Sequence, residues 1–472
     1  MKLHLLLSHA DDHSPVLSEA LAMESVLREP QPPPLVKPES LYEHHGELND
    51  LRVQGWAVVV PDGEAGEQLL ARVEPLTRFR AKQQHLKPEQ LKIFKVSPGA
   101  GIPEANQLRD KLLKMQWEEQ PRYLLLLGDA EQISFEYQQV LSVDRFVGRL
   151  AFSQDGALEA YVKKVIQAES DPPCAEQARV LFLAVHDRTP ATSIGYEALI
   201  SPGLQSCQRS QQRGNFPARE VRDLATPEDW DVRRFLSSVA ESEPSVLLTL
   251  SHGLGAPWRS PEEQRRRQGA MDLGDGKELK IEDVADRPFL PGGLWFYFAC
   301  FSAGTPARSM YAPWIRRLQE AGKGGRGPES VLASAPKDGR PFIAAIPQAA
   351  LANPDGPLAV IGHVDLAWTY SFHESHAPNG QNHAARFVAV MSDLVKHRRA
   401  GVGLSVLTSA IAATDARLAM LYHQDEPIWT EKGEPLPEAF HRAHLWMTRH
   451  DLAGYILLGD PAVRLPIRSL QP

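Results

Sequence analysis

Three reactive side chains each follow a wholly apolar run. Val180–Val185 leads to Asp187, Val246–Leu250 leads to Ser251-His252-Gly253, and Leu294–Phe298 leads to Ala299-Cys300. A thiol is a strong nucleophile only as the thiolate, and a neighbouring imidazole can lower its pKa or take its proton. Attack on a carbonyl creates an oxyanion that needs backbone N–H donors. Gly253 has no Cβ, so its backbone can come close to a substrate. The N–H groups of Gly253 and Cys300 are therefore the expected oxyanion donors. A lone cysteine or histidine is more often a packed core residue. What points to a nucleophile with its base is the repetition: apolar run then His-Gly, apolar run then Ala-Cys. Asp187 could orient the imidazole, or it could simply cap the following turn.

These groups need a frame that brings distant strand ends together. Trp56–Val60, Tyr123–Leu127 and the three runs above are continuous rather than alternating in apolarity. That implies strands buried on both faces, hence a mostly parallel sheet covered by helices. Val331–Ala335 reads as a further strand, and Leu3–Leu7 as the first. Helical spacing of apolar positions falls at 157–169 and 386–398. Strand–helix alternation predicts a doubly wound α/β architecture, with reactive side chains at the carboxyl ends of the strands. Ser170-Asp171-Pro172-Pro173 suggests a boundary, giving an α/β subdomain over 1–175 and a catalytic domain over 176–472.

The chain has 472 residues and a net charge of −8, which argues against nucleic-acid binding through bulk positive charge. Three cysteines (Cys174, Cys207 and Cys300) are too few for a disulfide scaffold and fit a reducing compartment. No apolar run reaches bilayer-spanning length, and Leu3–Leu7 is too short for a signal-peptide core. A cytoplasmic protein without a membrane partner is expected. The proline-rich stretch 30–38 reads as an extended surface connection. No metal-ligand spacing and no glycine-rich nucleotide loop occurs, so neither metal nor cofactor is expected.

The blocks Leu-Thr-Leu-Ser-His252-Gly253 and Phe-Tyr-Phe-Ala299-Cys300 resemble those of caspase-like cysteine peptidases, in particular the gingipain type. Leu126-Leu127-Gly128-Asp129, Val147-Gly148-Arg149-Leu150 and Leu457-Leu458-Gly459-Asp460-Pro461-Ala462 extend the resemblance over residues 120–466. It implies a three-layer α/β/α caspase-like fold and a cysteine endopeptidase. Cys300 would be the nucleophile, His252 the acid/base and Asp187 the acid that orients it. It further implies cleavage after a basic residue, Arg preferred and Lys accepted. Glu197 or Asp365 would supply the carboxylate of the first pocket, and Trp368 its aromatic wall. The polar, basic segments 257–269 and 321–328 read as flexible loops open to self-cleavage or to an upstream activating protease, making the chain a zymogen. Unlike gingipains, the chain shows no secretion signal and no adhesin-like tail. A regulatory or defence-linked protease acting on protein or peptide substrates is expected. The alternatives are a catalytically inactive caspase-like scaffold or a different thiol hydrolase; the Gly-x-Ser-x-Gly elbow of serine α/β hydrolases does not occur.

Overall fold

The computed structural model describes residues 2–22, 46–226, 230–374, 381–431 and 439–468; the proline-rich stretch 30–38 lies outside them. Ten strands form one sheet: β1 (Trp56–Pro61), β2 (Ile93–Val96), β3 (Tyr123–Leu127), β4 (Phe146–Leu150), β5 (Ala178–Ala184), β6 (Ala218–Asp223), β7 (Ser245–Leu250), β8 (Leu294–Phe298), β9 (Ala359–His363) and β10 (Tyr455–Leu458). Their spatial order is β2-β1-β3-β4-β10-β9-β8-β7-β5-β6. Every neighbouring pair is parallel except β9 with β10. Two parallel halves of five strands therefore meet back to back at that pair. The boundary expected at 175/176 falls between helix Ala157–Ser170 and β5. The sheet is continuous across the two halves, and the last strand of the chain, β10, completes the half built by the first four.

The apolar runs form strands because both faces are covered. In β1 and β3, Ala57, Val59, Leu124 and Leu126 pack with Ala105, Leu108, Leu112 and Leu141. The alternate residues Trp56, Val58, Val60, Tyr123, Leu125 and Leu127 belong to the larger core on the other face. Helices Ala157–Ser170 and Ala384–Val395 match the expected spans closely. The expected strand at Val331–Ala335 is instead part of helix Gly327–Ala333, which Pro328 opens. Short apolar runs read either way until tertiary packing decides. The expected first strand is not in the sheet at all, because Leu7–His9 pairs with the short strand Gly253–Gly255 beyond the end of β7.

Two of the glycine-bearing blocks meet at the junction of the halves. A β-carbon on Gly148 would lie 2.3 Å from the Gly459 carbonyl oxygen, so β4 and the end of β10 can touch only at glycine. Next to it Asp460, fully buried, accepts from Trp56 Nε1 at 2.9 Å and from Arg80 Nε at 2.8 Å. Arg80 also pairs with buried Glu169 at 2.7 Å. Burial opposes ionisation of Glu169, yet the guanidinium of Arg80 outweighs it and holds the carboxyl down at about 2.

One helix, Ala400–Glu431, corrects the expectation about apolar length. Its stretch Ala400–Tyr422 has a mean hydropathy of 1.3 and is long and apolar enough to cross a membrane by length and composition. In this fold Leu404, Leu407 and Leu418 sit in the core, whereas Ala412, Ala413 and Met420 are exposed and most of the stretch is not buried.

Removing one member of a buried ion cluster leaves its partner charge uncompensated. Asp460→Ala should therefore lower unfolding stability by about 3 kcal/mol, the lower end of the range for a broken buried pair because Glu169 still faces Arg80. Denaturant titration measures this, and an unchanged midpoint would contradict the anchoring role.

Candidate active site

Strands β7 and β8 run in register, Leu250 opposite Phe298, so their following residues come out side by side. Ser251 N–H continues the ladder to the Phe298 carbonyl at 3.1 Å. A β-carbon on Gly253 would lie 2.0 Å from the Cys300 carbonyl oxygen, so only glycine allows this approach. The N–H groups of Gly253 and Cys300 converge on a single acceptor, the Leu6 carbonyl oxygen, at 3.0 and 3.3 Å. The two donors expected from the sequence thus share one acceptor.

His252 is buried. Its Nε2 lies 2.9 Å from Thr189 Oγ1 and 3.6 Å from Asp187 Oδ2. Asp187 spends its other oxygen on Thr189 N–H at 2.9 Å and on the Thr192 hydroxyl at 2.6 Å. Asp187 therefore organises the turn, and its second oxygen stands 3.6 Å from the imidazole. With the Nε2 proton directed at Thr189, Nδ1 keeps its lone pair, and Nδ1 has no hydrogen-bond partner. Burial pushes the imidazole pKa down, against the pull of Asp187 and Asp272, so the ring is held as a neutral base.

Cys300 is fully buried. Its sulfur accepts from Ala367 N–H at 3.2 Å and lies 3.6 Å from the Ala367 carbonyl oxygen. Burial raises the thiol pKa well above its ordinary value, so the closed site holds it protonated.

The segment after β9 forms the facing wall. Asp365, at φ 79°, accepts from Leu366 N–H at 2.9 Å and Met310 N–H at 2.8 Å. Its carboxylate thus ties its own turn to the segment that leads into helix Ala312–Glu320. The Trp368 ring packs among Trp314 and Tyr311, with centroids 5.5 and 5.8 Å away, while its backbone bridges to Leu5. Asp451, from helix Ala439–Ala453, ties this wall down by accepting from Trp368 N–H and Ser371 N–H, both at 2.8 Å. Glu197 stands exposed on the helical turn Tyr196–Ile200, where its charge reaches His373. His186 turns away to the Ala225 carbonyl and the Tyr196 ring.

Sequence reasoning missed Thr189, Thr192 and Asp451. Thr189 precedes Pro190 at the start of helix Pro190–Gly195, where a threonine normally caps. Its hydroxyl makes no cap bond and serves His252 instead. The segment 257–269 is no flexible loop. It contains helix Pro261–Arg267, capped by Ser260, with Arg265 on Asp338, Arg266 on Glu282 and Arg267 on Glu278. Residues 321–326 are exposed and carry three left-handed glycines, Gly322, Gly324 and Gly325. Among the described residues no group of three or more His, Cys, Asp or Glu is placed to hold a metal ion.

No family model and no curated protein matches the chain in sequence. Solved structures do match in shape. The Arg-specific cysteine proteinase gingipain R aligns with a TM-score of 0.50 at 13% identity, over 91% of this chain and 81% of its own. A structure described as a protease aligns with a TM-score of 0.49 at 13% identity, over 89% of this chain and 80% of its own. A mostly parallel ten-stranded sheet between helical layers, matched over nearly the whole chain, gives this protein the fold of the caspase-like cysteine peptidases.

Proposed function

We propose that the protein is a cysteine endopeptidase in which Cys300 is the nucleophile and His252 the acid/base. The observation that carries this reading is the convergence of the Gly253 and Cys300 N–H groups on one carbonyl oxygen, beside a buried imidazole with a free Nδ1. In this closed state the sulfur bonds to Ala367 and makes no hydrogen bond to Nδ1. In the reaction the two come within reach, Nδ1 takes the thiol proton and the sulfur attacks the carbonyl carbon. The two N–H groups hold the oxyanion. The peptide C–N bond breaks as Nδ1 returns the proton to the leaving amine, leaving a thioester. Water, deprotonated by the same nitrogen, then releases the acid and restores the thiol. Thr189 and Asp187 position the ring and compensate its transient charge.

The reading extends to a basic residue before the cut. Glu197 is the candidate carboxylate, since Asp365 is buried and already accepts from Leu366 N–H and Met310 N–H. A second reading, an aliphatic residue at that position, is favoured by Leu6, whose carbonyl occupies the donor pair. An intracellular regulatory or defence role, with activation by another protease at the exposed turn 321–326, belongs to the same proposal; the free Cys174, Cys207 and Cys300 fit a reducing compartment.

Fluorogenic peptides bearing Arg, Lys or Leu before the reporter test these readings together. Cys300→Ala and His252→Ala should abolish turnover; turnover retained in Cys300→Ala would exclude Cys300 as the nucleophile, and none in any of the proteins would identify an inactive scaffold. Thr189→Val should lower kcat/KM by about 10–100-fold, less than the ~10²–10⁴ contributed by a general base itself, and shift the pH–rate profile. Thr189→Ser should preserve both, and an unchanged profile in Thr189→Val would remove Thr189 from the mechanism. Glu197→Gln should cost Arg substrates about tenfold or more relative to Leu substrates, the worth of a charge-assisted bond. Equal turnover across the panel in both proteins would contradict a charged first pocket.

A further inference from the structure

The N-terminal residues lie where a substrate would. Leu6 donates its N–H to the Ala367 carbonyl at 3.4 Å, and its carbonyl accepts from Gly253 and Cys300. On one side Leu5 bridges antiparallel to Trp368. On the other Leu7–His9 pairs in parallel with Gly253–Gly255. A β-carbon on Gly255 would come within 2.7 Å of Leu7 Cδ1, so this edge too is shaped for close approach. The chain is then clamped beyond the site: Arg267 donates to the Ala10 carbonyl at 2.9 Å, and His9 Nδ1 lies 2.9 Å from the Ala256 carbonyl. Leu3, Leu5, Leu6 and Leu7 are all buried.

We infer that the edges 253–255 and 366–368 form a two-sided groove for an extended apolar peptide, and that residues 5–9 of this same chain are its resident ligand. The register follows from the hydrogen bonds. Leu6 fills the position of the residue before the cut, Leu5 the one preceding it and Leu7 the one after. An external peptide needs the same two N–H donors and the same Ala367 carbonyl, so it binds only when this segment leaves. The residue-6 pocket holds an aliphatic side chain in the occupied state, whatever substrate replaces it. The burial of Cys300 follows directly, because the segment covers the strand ends from which the thiol projects. This inference rests on the peptidase reading only for the purpose of the groove; the occupancy itself concerns access to one sulfur.

Alkylation of the full chain by iodoacetamide, mapped by peptide mass spectrometry, tests it. Exposed Cys174 is the internal reference. Cys300 should react slowly in the wild type. In Leu6→Asp it should react about tenfold faster or more, as expected when a minor open population becomes the major one. Leu6→Ala, which shortens the side chain without adding charge, should give a smaller acceleration. A thermal melt identifies which variants remain folded. A synthetic peptide spanning Lys2–Ala10 should restore protection to the folded variant, and the same peptide with Asp in place of Leu6 should not. Equal Cys300 reactivity in the wild type and a folded variant, or no protection by the peptide, would overturn the inference. Peptide hydrolysis does not enter this readout. Exposure of Cys300 without turnover would therefore refute the peptidase reading alone, and turnover without a change in exposure would refute the occupancy alone.

Discussion

The close contact of two backbones, at Gly253 and Cys300, sets the geometry on which the site depends. A side chain at position 253 would place its β-carbon 2.0 Å from the Cys300 carbonyl oxygen. Its absence lets two peptide N–H groups from separate strands point at one oxygen. The in-register parallel pairing of β7 and β8 aligns those strand ends. The helices covering both faces make such pairing stable, since parallel strands of this apolarity persist only when buried. The proposed chemistry would therefore follow from sheet register.

The electrostatics point the same way. Burial makes the imidazole a neutral base and holds the thiol protonated. On the proposed reading such a closed site stays inert until residues 5–9 leave the sulfur. Thr189 explains how the imidazole keeps one nitrogen free. Its hydroxyl engages Nε2, and Asp187 stands behind it with one oxygen on Thr192 and the other 3.6 Å from the ring.

Much of the frame was legible in the sequence because it is written locally. The runs at 56–60, 123–127, 180–185, 246–250 and 294–298 are strands, and both helical spacings fall on helices. His252, Gly253 and Cys300 were legible for the same reason: each ends a run. Edge strand β2 was missed because Ile93–Val96 alternates exposed and buried positions and is short. Helix Pro261–Arg267 had its signal in plain view, Ser260-Pro261 followed by Glu263, but three arginines in a row drew the reading towards a loop. Their acidic partners, Asp338, Glu282 and Glu278, lie elsewhere in the chain and carry no local mark. Thr189, Asp451 and Leu6 matter only through contacts made across the fold, so no spacing rule announces them. Leu3–Leu7 had the composition of a buried strand, and its leucines are buried, but outside the ten-stranded sheet.

The central claim is that Cys300 and His252 act as one nucleophilic unit. Its most direct test is covalent: exposure of the folded Leu6→Asp protein, with and without His252→Ala, to a peptidyl acyloxymethyl ketone, followed by intact-mass measurement and peptide mapping. The account requires a single adduct, on Cys300, that forms only while His252 is present. Labelling on Cys174 instead, or a Cys300 adduct that forms equally well in His252→Ala, would contradict it.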